Sequence, residues 1–240
     1  MKRSISIVIP NYNGKDLLES NIPHVYNALK TSGITDFEII ITDDASKDQS
    51  VDFLKSNYPD IILIENKVNR GFSGNTNCGI FRANKDLVLI LNSDVILTDC
   101  YFEHLLPYFD SPGTFGVMGQ ITSPDSKIIQ DGAKYPTSAF GRIRPGTNYL
   151  IKGQSSHLSL FLLGANALVD RKKLLEVGGF DEIFNPYNSE DVDLSIRAWR
   201  LGYKCYYDHR AICKHPISST LKKEPNRKVK MISNRNVMIL

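Results

Sequence analysis

Three carboxylates, Glu190, Asp191 and Asp193, crowd the start of the stretch "NPYNSEDVDLSIRAWRLGYK". Acids in the first turn of a helix stabilise it by about 0.3–1 kcal/mol each through the macrodipole. A capping box, with Asn188 or Ser189 as N-cap and Asp191 near the third position, would use one of them. A helix that needs only a start does not need three acids, and here they follow a turn-rich approach, "GGFDE…NPYNS". One of the three is therefore expected to be a general base: a carboxylate of ordinary pKa, about 3.9, is ionised at pH 7 and can take a proton from an attacking alcohol. Asp193 reads as a structural cap or ion-pair partner. Four other groups have chemical potential. Asp43 and Asp44 could accept from a base N–H and order a ribose, or cap a turn before Ser46. Asp94, closing "NSD", could hold a hard cation on oxygen. Arg70 in "NRGFSGN" could touch a nucleotide or face solvent. His215 in "AICKHP" could be a ligand or a structural histidine. No Ser-His or Cys-His signature suggests a covalent intermediate.

These residues need a frame that brings them together. "ISIVI" (5–9), "FEIIIT" (37–42), "IILIE" (61–65) and "LVLIL" (87–91) are short apolar runs. Helical patterns separate them over about 16–29, 48–57 and from "NRGFSGN" to about 84. Continuous apolar runs alternating with helices predict parallel strands covered on both faces. In such sheets ligands bind beyond the carboxyl ends of the strands, and there the polar groups gather: Asn11, Tyr12 and Asn13; Asp43 and Asp44; Asn69 and Arg70; Asn92, Ser93 and Asp94. The second half reads differently. Strands are expected at 115–122, 127–132 and within 158–170, and near 203–207 and 211–214. A short helix is expected at 171–177. Residues 139–156, rich in Gly, Arg and Ser, read as a mobile loop. The apolar stripe of the helix after Asp191 is expected to be Val192, Ile196, Trp199 and Tyr203.

Composition narrows the classes. A chain of 240 residues, 42% hydrophobic and 23% charged, can bury a full core. The net charge of +3 is too small to argue for nucleic acid. Much of the excess lies at the end: seven Lys or Arg and one acid, Glu224, follow from Lys214. The four cysteines show no metal or CxxC spacing and read as reduced thiols of a cytoplasmic protein. The opening apolar run is too short for a signal peptide, and no stretch reaches the roughly 18 apolar residues of a membrane span. The turn after the first strand, "PNYNG", lacks GxGxxG, and no GxxxxGK[ST] is present, so neither a dinucleotide fold nor a P-loop is expected. The last residues, "NRNVMIL", stop within a helix-like pattern, so the natural chain is expected to run past residue 240.

"SIVIPNYNG", "DDASKDQS", "NRGFSGNTNCGI", "LNSDV" and "GGFDEIFNPYNSEDVDLSIRAWRLGYK" resemble, in that order over residues 4–220, the motif series of inverting GT-A glycosyltransferases of family 2, nearest the rhamnosyltransferase-like branch. The resemblance implies a Rossmann-like, mostly parallel sheet flanked by helices, with a smaller mixed acceptor-side region. It divides the chain into a nucleotide-sugar half (1–95), an acceptor-binding and catalytic half (96–220) and a basic tail (221–240). It implies a nucleotide-diphosphate sugar donor, a glycan or lipid-linked acceptor, and Mn²⁺ or Mg²⁺. It selects Asp191 as base with Glu190 orienting a hydroxyl. Donor contacts fall to Pro10, Tyr12, Asp43, Asp44 (for the base), Arg70, Asn92 and Ser93. Metal contacts fall to Asp94 and His215, Asn92 standing where the family's DxD motif has its first acid. The tail (Lys222, Lys223, Arg227, Lys228, Lys230, Arg235) is expected to reach an anionic membrane face, at about 1 kcal/mol per cation. The competing readings are a sugar nucleotidyltransferase, which wants a Gly-rich basic loop after the first strand, and a non-catalytic nucleotide-sugar-binding module.

Overall fold

The structure, a computed structural model, describes residues 3–139, 142–149, 156–216 and 226–240. The four apolar runs are strands β1 (Ile5–Asn11), β2 (Phe37–Asp43), β3 (Ile62–Glu65) and β4 (Leu87–Leu91). Helices α1 (Lys15–Thr31), α2 (Ser50–Asn57) and α3 (Gly71–Arg82) connect them. Helix α2 starts at Ser50 because the Asp48 carboxylate accepts from the Ser50 amide at 3.0 Å. The remaining elements are β5 (Ile96–Leu97), β6 (Thr114–Thr122), β7 (Ile129–Asp131), β8 (Ala133–Ala139), β9 (Arg142–Tyr149), β10 (Ser156–Leu158), β11 (Asn166–Asp170), α4 (Arg171–Val177), α5 (Glu190–Arg200), β12 (Lys204–Lys214) and α6 (Asn226–Ile239).

One sheet runs β10-β12-β6-β11-β4-β1-β2-β3, with β5 on β12 and β7 on β6. β1 lies parallel between β2 and β4, and β3 is parallel to β2. β11 enters antiparallel between β4 and β6, and β12 is parallel to β6. This is the expected mostly parallel α/β frame. The pleat sends alternate residues to opposite faces. Ile5, Ile7, Ile9, Ile39, Ile41, Leu87, Leu89 and Leu91 pack under α1 and α2 with Leu18, Ile22, Val25 and Leu54. Val8, Ile40, Val88 and Ile90 face the other way, against Ile80 of α3, Leu174 of α4 and Leu194 and Ala198 of α5. Both faces are dry, which is why the four runs carry almost no polar residues.

Four expectations need correction. Residues 142–149, read as part of a mobile loop, form β9, antiparallel to β8 in a separate two-stranded sheet. The β-formers Tyr135, Thr137, Ile143, Thr147 and Tyr149 outweigh the turn-rich composition there; residues 140–141 and 150–155 lie outside the described residues. The two strands expected near 203–214 are one strand, β12, irregular between Asp208 and Ile212. Buried Asp208 stays within that strand because Arg210 N donates to it at 3.0 Å and the Arg210 guanidinium pairs with it at 2.6 Å. In α5 the buried residues are Glu190, Val192, Leu194, Ser195 and Ala198, whereas Ile196 and Trp199 are half-buried and Tyr203 lies beyond the helix end. Finally, α5 starts without a capping box: Ser189, its N-cap, sits at φ +73° with no side-chain cap bond, and Asp191 is the second helical residue. An N-cap serves through extended backbone, and the left-handed entry turns the Ser189 hydroxyl away from that role.

Among the described residues no helix is long and apolar enough to cross a membrane.

Candidate active site

The rim beyond β1 and β2 is built first. Asn11 and Asp43 are register partners, and Asn11 Nδ2 donates to Asp43 Oδ2 at 2.8 Å while Ser46 N donates to Asp43 Oδ1 at 2.9 Å. Asp44 reaches the start of α3: its Oδ1 accepts from Arg70 N (2.8 Å) and Asn66 Nδ2 (3.1 Å), its Oδ2 from Gly71 N (3.0 Å). Both acids are 2% exposed. The next two amides of α3 are also taken, Phe72 N by Pro186 O at 3.0 Å and Ser73 N by Asn185 Oδ1 at 3.2 Å. Gly71 permits this contact: it holds φ +72°, and a Cβ there would meet Asn185 Oδ1 at 2.7 Å. The N-terminus of α3 thus spends its unpaired amides on protein rather than on an anion. The Arg70 side chain turns to Glu182 (3.3 Å) and Cys78 Sγ (3.0 Å). Asn75 ties α3 to β2 through Thr42 O at 3.0 Å. Pro10 is half-buried opposite Thr42, and Tyr12 stands 47% exposed just past β1.

The turn after β4 is fixed from both sides. Asn92 N donates to Ala165 O at 3.1 Å, and Asn21 Nδ2 of α1 donates to Ser93 O at 2.7 Å. Asp94 is buried, with Oδ2 3.2 Å from His215 Nε2 at the far end of the chain. His215 is itself held by Thr122 O, which accepts its amide at 2.9 Å, and by Gln130 Nε2, which donates to its carbonyl at 3.0 Å. The hydrogen bond to Asp94 raises the His215 pKa above the usual imidazole value; burial opposes this, and the charges of Asp94 and Asp131 add to it.

A carboxylate and an imidazole in contact suit a divalent cation. Asn92 Oδ1, in the same turn as Asp94, is buried with no hydrogen-bond partner among the described residues. No group of three His, Cys, Asp or Glu able to hold a metal is found among those residues. Asp94 and His215 thus offer two ligands to a divalent cation, fewer than a complete protein-held site needs.

Asp191 belongs to the same neighbourhood. Its Oδ2 accepts from Gly164 N at 3.4 Å, and the next residue, Ala165, is the one that holds Asn92. Ser195, one turn along α5, donates to Asp191 O at 2.8 Å and accepts from Leu162 N at 3.0 Å, which anchors the helix to the same coil. Glu190 is 8% exposed, and its Oε2 has no partner among the described residues. Burial, then the adjacent Asp191 charge, pushes Glu190 up to about 8. Burial also pushes Asp191 up, to about 6, against the Gly164 and Val192 amides and the charge of Lys134. The two titrate as a pair, and the ordinary carboxylate pKa expected for the base does not hold here. Asp193 pairs with Arg197 at 2.6 Å, the structural role expected of it.

Sequence reasoning missed Lys134 and Asp131. Lys134 is 8% exposed, ion-paired to Asp131, bonded to Asn148 Oδ1 at 2.7 Å and 5.7 Å from the Phe161 ring. Its field reaches Asp191, and that of Asp131 reaches His215. "KIIQDGAK" carries a strand signal only, and nothing local marks its second lysine as buried.

The fold and this rim define an α/β protein of GT-A type, with acids and a histidine gathered past the strand ends. The sequence profile of glycosyl transferase family 2 matches residues 6–178. The chain belongs to that family and is thereby a glycosyltransferase. It is 27% identical over 233 residues to the O-antigen chain rhamnosyltransferase RfbN of Salmonella typhimurium, covering 93% of this chain and 69% of that protein. It is 39% identical over 94 residues to the poly(ribitol-phosphate) beta-glucosyltransferase of Bacillus spizizenii, covering 38% of this chain and 14% of that one. Among solved structures, GalNAc-T7 with UDP, GalNAc and Mn²⁺ superposes with a TM-score of 0.72 at 17% identity, over 89% of this chain and 44% of that one. The mannosyltransferase PcManGT of Pyrobaculum calidifontis with GDP-Man and Mn²⁺ gives 0.68 at 16% identity, over 92% and 59%. At these identities the structural likeness concerns the fold. Apart from RfbN, each of these relatives is spanned over less than two thirds of its own length.

Proposed function

We propose that the chain moves a sugar from a nucleotide-diphosphate sugar to a hydroxyl of a glycan or lipid-linked acceptor, in one displacement with inversion at the anomeric carbon. The observation that carries this reading is the bridge Asp191–Gly164–Ala165–Asn92, which joins the candidate base to the turn bearing Asp94, whose carboxylate His215 contacts from the end of β12. Asp191 is the general base. Its raised pKa still leaves it largely ionised at pH 7 and makes it a better proton acceptor than an ordinary carboxylate. Glu190, protonated below about pH 8, donates a hydrogen bond that orients a hydroxyl. Lys134 supports the ionised form of Asp191. Asp94 and His215 would hold Mn²⁺ or Mg²⁺, which supplies positive charge against the departing diphosphate.

In this reading residues 1–95 serve the donor and 96–220 the acceptor and the chemistry. Pro10, Tyr12, Asp43, Asp44, Arg70, Asn92 and Ser93 line or brace the donor side. Asp43 and Asp44 do so with oxygens already shared with protein donors, leaving their remaining lone pairs for a base or ribose. The likeness to RfbN, an O-antigen chain rhamnosyltransferase, supports a bacterial surface polysaccharide as the product class. The site of action is the cytoplasmic side of a membrane, reached peripherally through basic residues. Of these, Lys222 and Lys223 lie outside the described residues, whereas Arg227 and Lys230 are exposed on α6.

A thermal-shift screen of nucleotide sugars with Mn²⁺ identifies the donor. Nuclear magnetic resonance of the first product then reads its anomeric configuration. Inversion supports the mechanism; retention overturns it.

A further inference from the structure

Helix α6 lies outside the span that matches the family profile, yet it is built into the approach to the catalytic pair. Asn236 is fully buried on it. Its Nδ2 donates to three backbone carbonyls of the segment before α5: Phe184 O at 2.8 Å, Tyr187 O at 2.9 Å and Asn188 O at 2.7 Å. Its Oδ1 accepts from Arg235 Nε at 2.8 Å, which fixes the amide with nitrogen toward the carbonyls. The Arg235 guanidinium donates in turn to Ile183 O and Asn185 O. The one remaining carbonyl of the stretch, Pro186 O, is taken by Phe72 N of α3. Six consecutive carbonyls, 183 to 188, are thus accounted for, five of them by two adjacent side chains of α6. Ser233, one turn earlier, accepts from Asn188 Nδ2 at 2.8 Å.

What this clamp holds is unusual backbone. Asn188 and Ser189 both adopt positive φ, 77° and 73°, immediately before Glu190 and Asp191. Two consecutive non-glycine residues in the left-handed region are costly and persist only where the surroundings over-determine them. No side chain of the segment caps α5, so the direction in which Glu190 and Asp191 leave the turn is set by how its carbonyls are tied down.

We propose that Asn236, locked by Arg235, is a positioning residue for the reaction: it fixes the left-handed turn that aims Glu190 and Asp191 into the site. The inference rests on the base assignment above. It makes α6 part of the catalytic apparatus and not an appended tail.

The test compares the full chain with Asn236→Ala, with Asn236→Asp, which keeps the size but turns an oxygen toward three carbonyls, and with the milder Arg235→Lys. Leu54→Ala, under α2, serves as a control that lowers Tm without touching the turn. Transfer from the donor found by the screen is measured alongside peptide-resolved amide exchange. The expected result is a kcat lower by about 10- to 100-fold, the cost of slight misplacement of a reacting group. KM for the donor should move by a smaller factor than kcat, since the segment reaches the donor half only where Pro186 O and Asn185 Oδ1 meet Phe72 N and Ser73 N. Exchange should quicken over 183–192 and stay unchanged over 5–11 and 87–91. A kcat no lower than that of Leu54→Ala, or unaltered exchange over 183–192, overturns the proposal. Should Asn236→Ala fail to fold, Arg235→Lys carries the same two readouts. If the unmodified chain transfers no sugar from any donor, the functional reading has failed, while amide exchange still decides whether the clamp exists.

Discussion

The imidazole of His215 lies 3.2 Å from the carboxylate of Asp94, although the two follow strands far apart in the sequence, β12 and β4. β4 delivers Asp94 from the border where the parallel strands meet antiparallel β11. β12 delivers His215 from beyond β6, and β5 pairs with β12 at Leu97 and Cys213 to close the gap. The pair is thus a product of the sheet's mixed half, which brings a late strand back to the rim made by the early ones.

That contact yields the first prediction. Calorimetry of the nucleotide-sugar donor should show binding that depends on Mn²⁺ or Mg²⁺. Asp94→Ala should weaken it by about 10- to 100-fold or more, and His215→Ala by a smaller factor. Donor binding of full strength in the presence of a chelator would remove the metal from the account.

Asp191→Asn should leave donor affinity unchanged and lower kcat by about 10²- to 10⁴-fold, the range for loss of a positioned base. Glu190→Gln keeps a hydrogen-bond donor and should cost far less. Single-turnover kinetics separates the two, and an Asp191→Asn enzyme of normal rate would end the assignment.

Burial of Glu190 also sets a pH dependence of stability. Its folded pKa is raised from 4.5 to about 8, so between those values the native state binds more protons than the unfolded one. Its contribution is therefore complete below pH 4.5 and is lost as pH rises toward 8, with a slope of at most about 1.4 kcal/mol per pH unit. Asp191 acts in the same direction over the narrower interval from 3.8 to about 6. Urea unfolding at a series of pH values should show stability falling across this window in the native sequence, and a flatter profile in Glu190→Gln.

Asp44 holds the start of α3 with three accepted hydrogen bonds. Asp44→Asn turns an amide toward one of those donors and should cost about 1–3 kcal/mol. The measurement is a lower urea midpoint at an unchanged m-value.

Peripheral attachment is tested by charge reversal, which leaves the Asn236 clamp intact. Lys222→Glu, Lys223→Glu and Lys230→Glu together should reduce sedimentation with vesicles containing anionic lipid, each cation contributing about 1 kcal/mol. Equal sedimentation would exclude the basic segment as the attachment point.

The parallel half of the fold was legible because β1, β2 and β4 are largely buried on both faces and all four strands read as mostly apolar runs. The rim residues followed from that, since they stand directly after the runs. The second half was less legible for physical reasons. β9 is a strand made of turn-favouring and basic residues, and its pairing with β8 is a tertiary fact that periodicity does not carry. β12 looked like two strands because Asp208, His209 and Arg210 interrupt its apolar pattern. Among the candidate site residues, Asp94 and the acid cluster at Glu190 and Asp191 were marked by residue type and neighbours, whereas the choice of Asp191 within that cluster and of His215 came from the family resemblance. Lys134 could not be found by either route, because its partners come from Asp131, Asn148 and Phe161 across a hairpin. Asn236 escaped notice because a polar residue in a basic helix looks solvated until the carbonyls it meets are known.

The β8–β9 hairpin forms its own sheet and shares no ladder with the main one, to which it is tied where Lys134 N donates to Ser159 Oγ and Lys134 O accepts from Leu160 N. Its outer part can therefore be lengthened, shortened or exchanged without altering any strand register on which Asp94 or His215 depends. The architecture thus separates the ladders that fix Asp94 and His215 from a ribbon whose own pairing bears on neither.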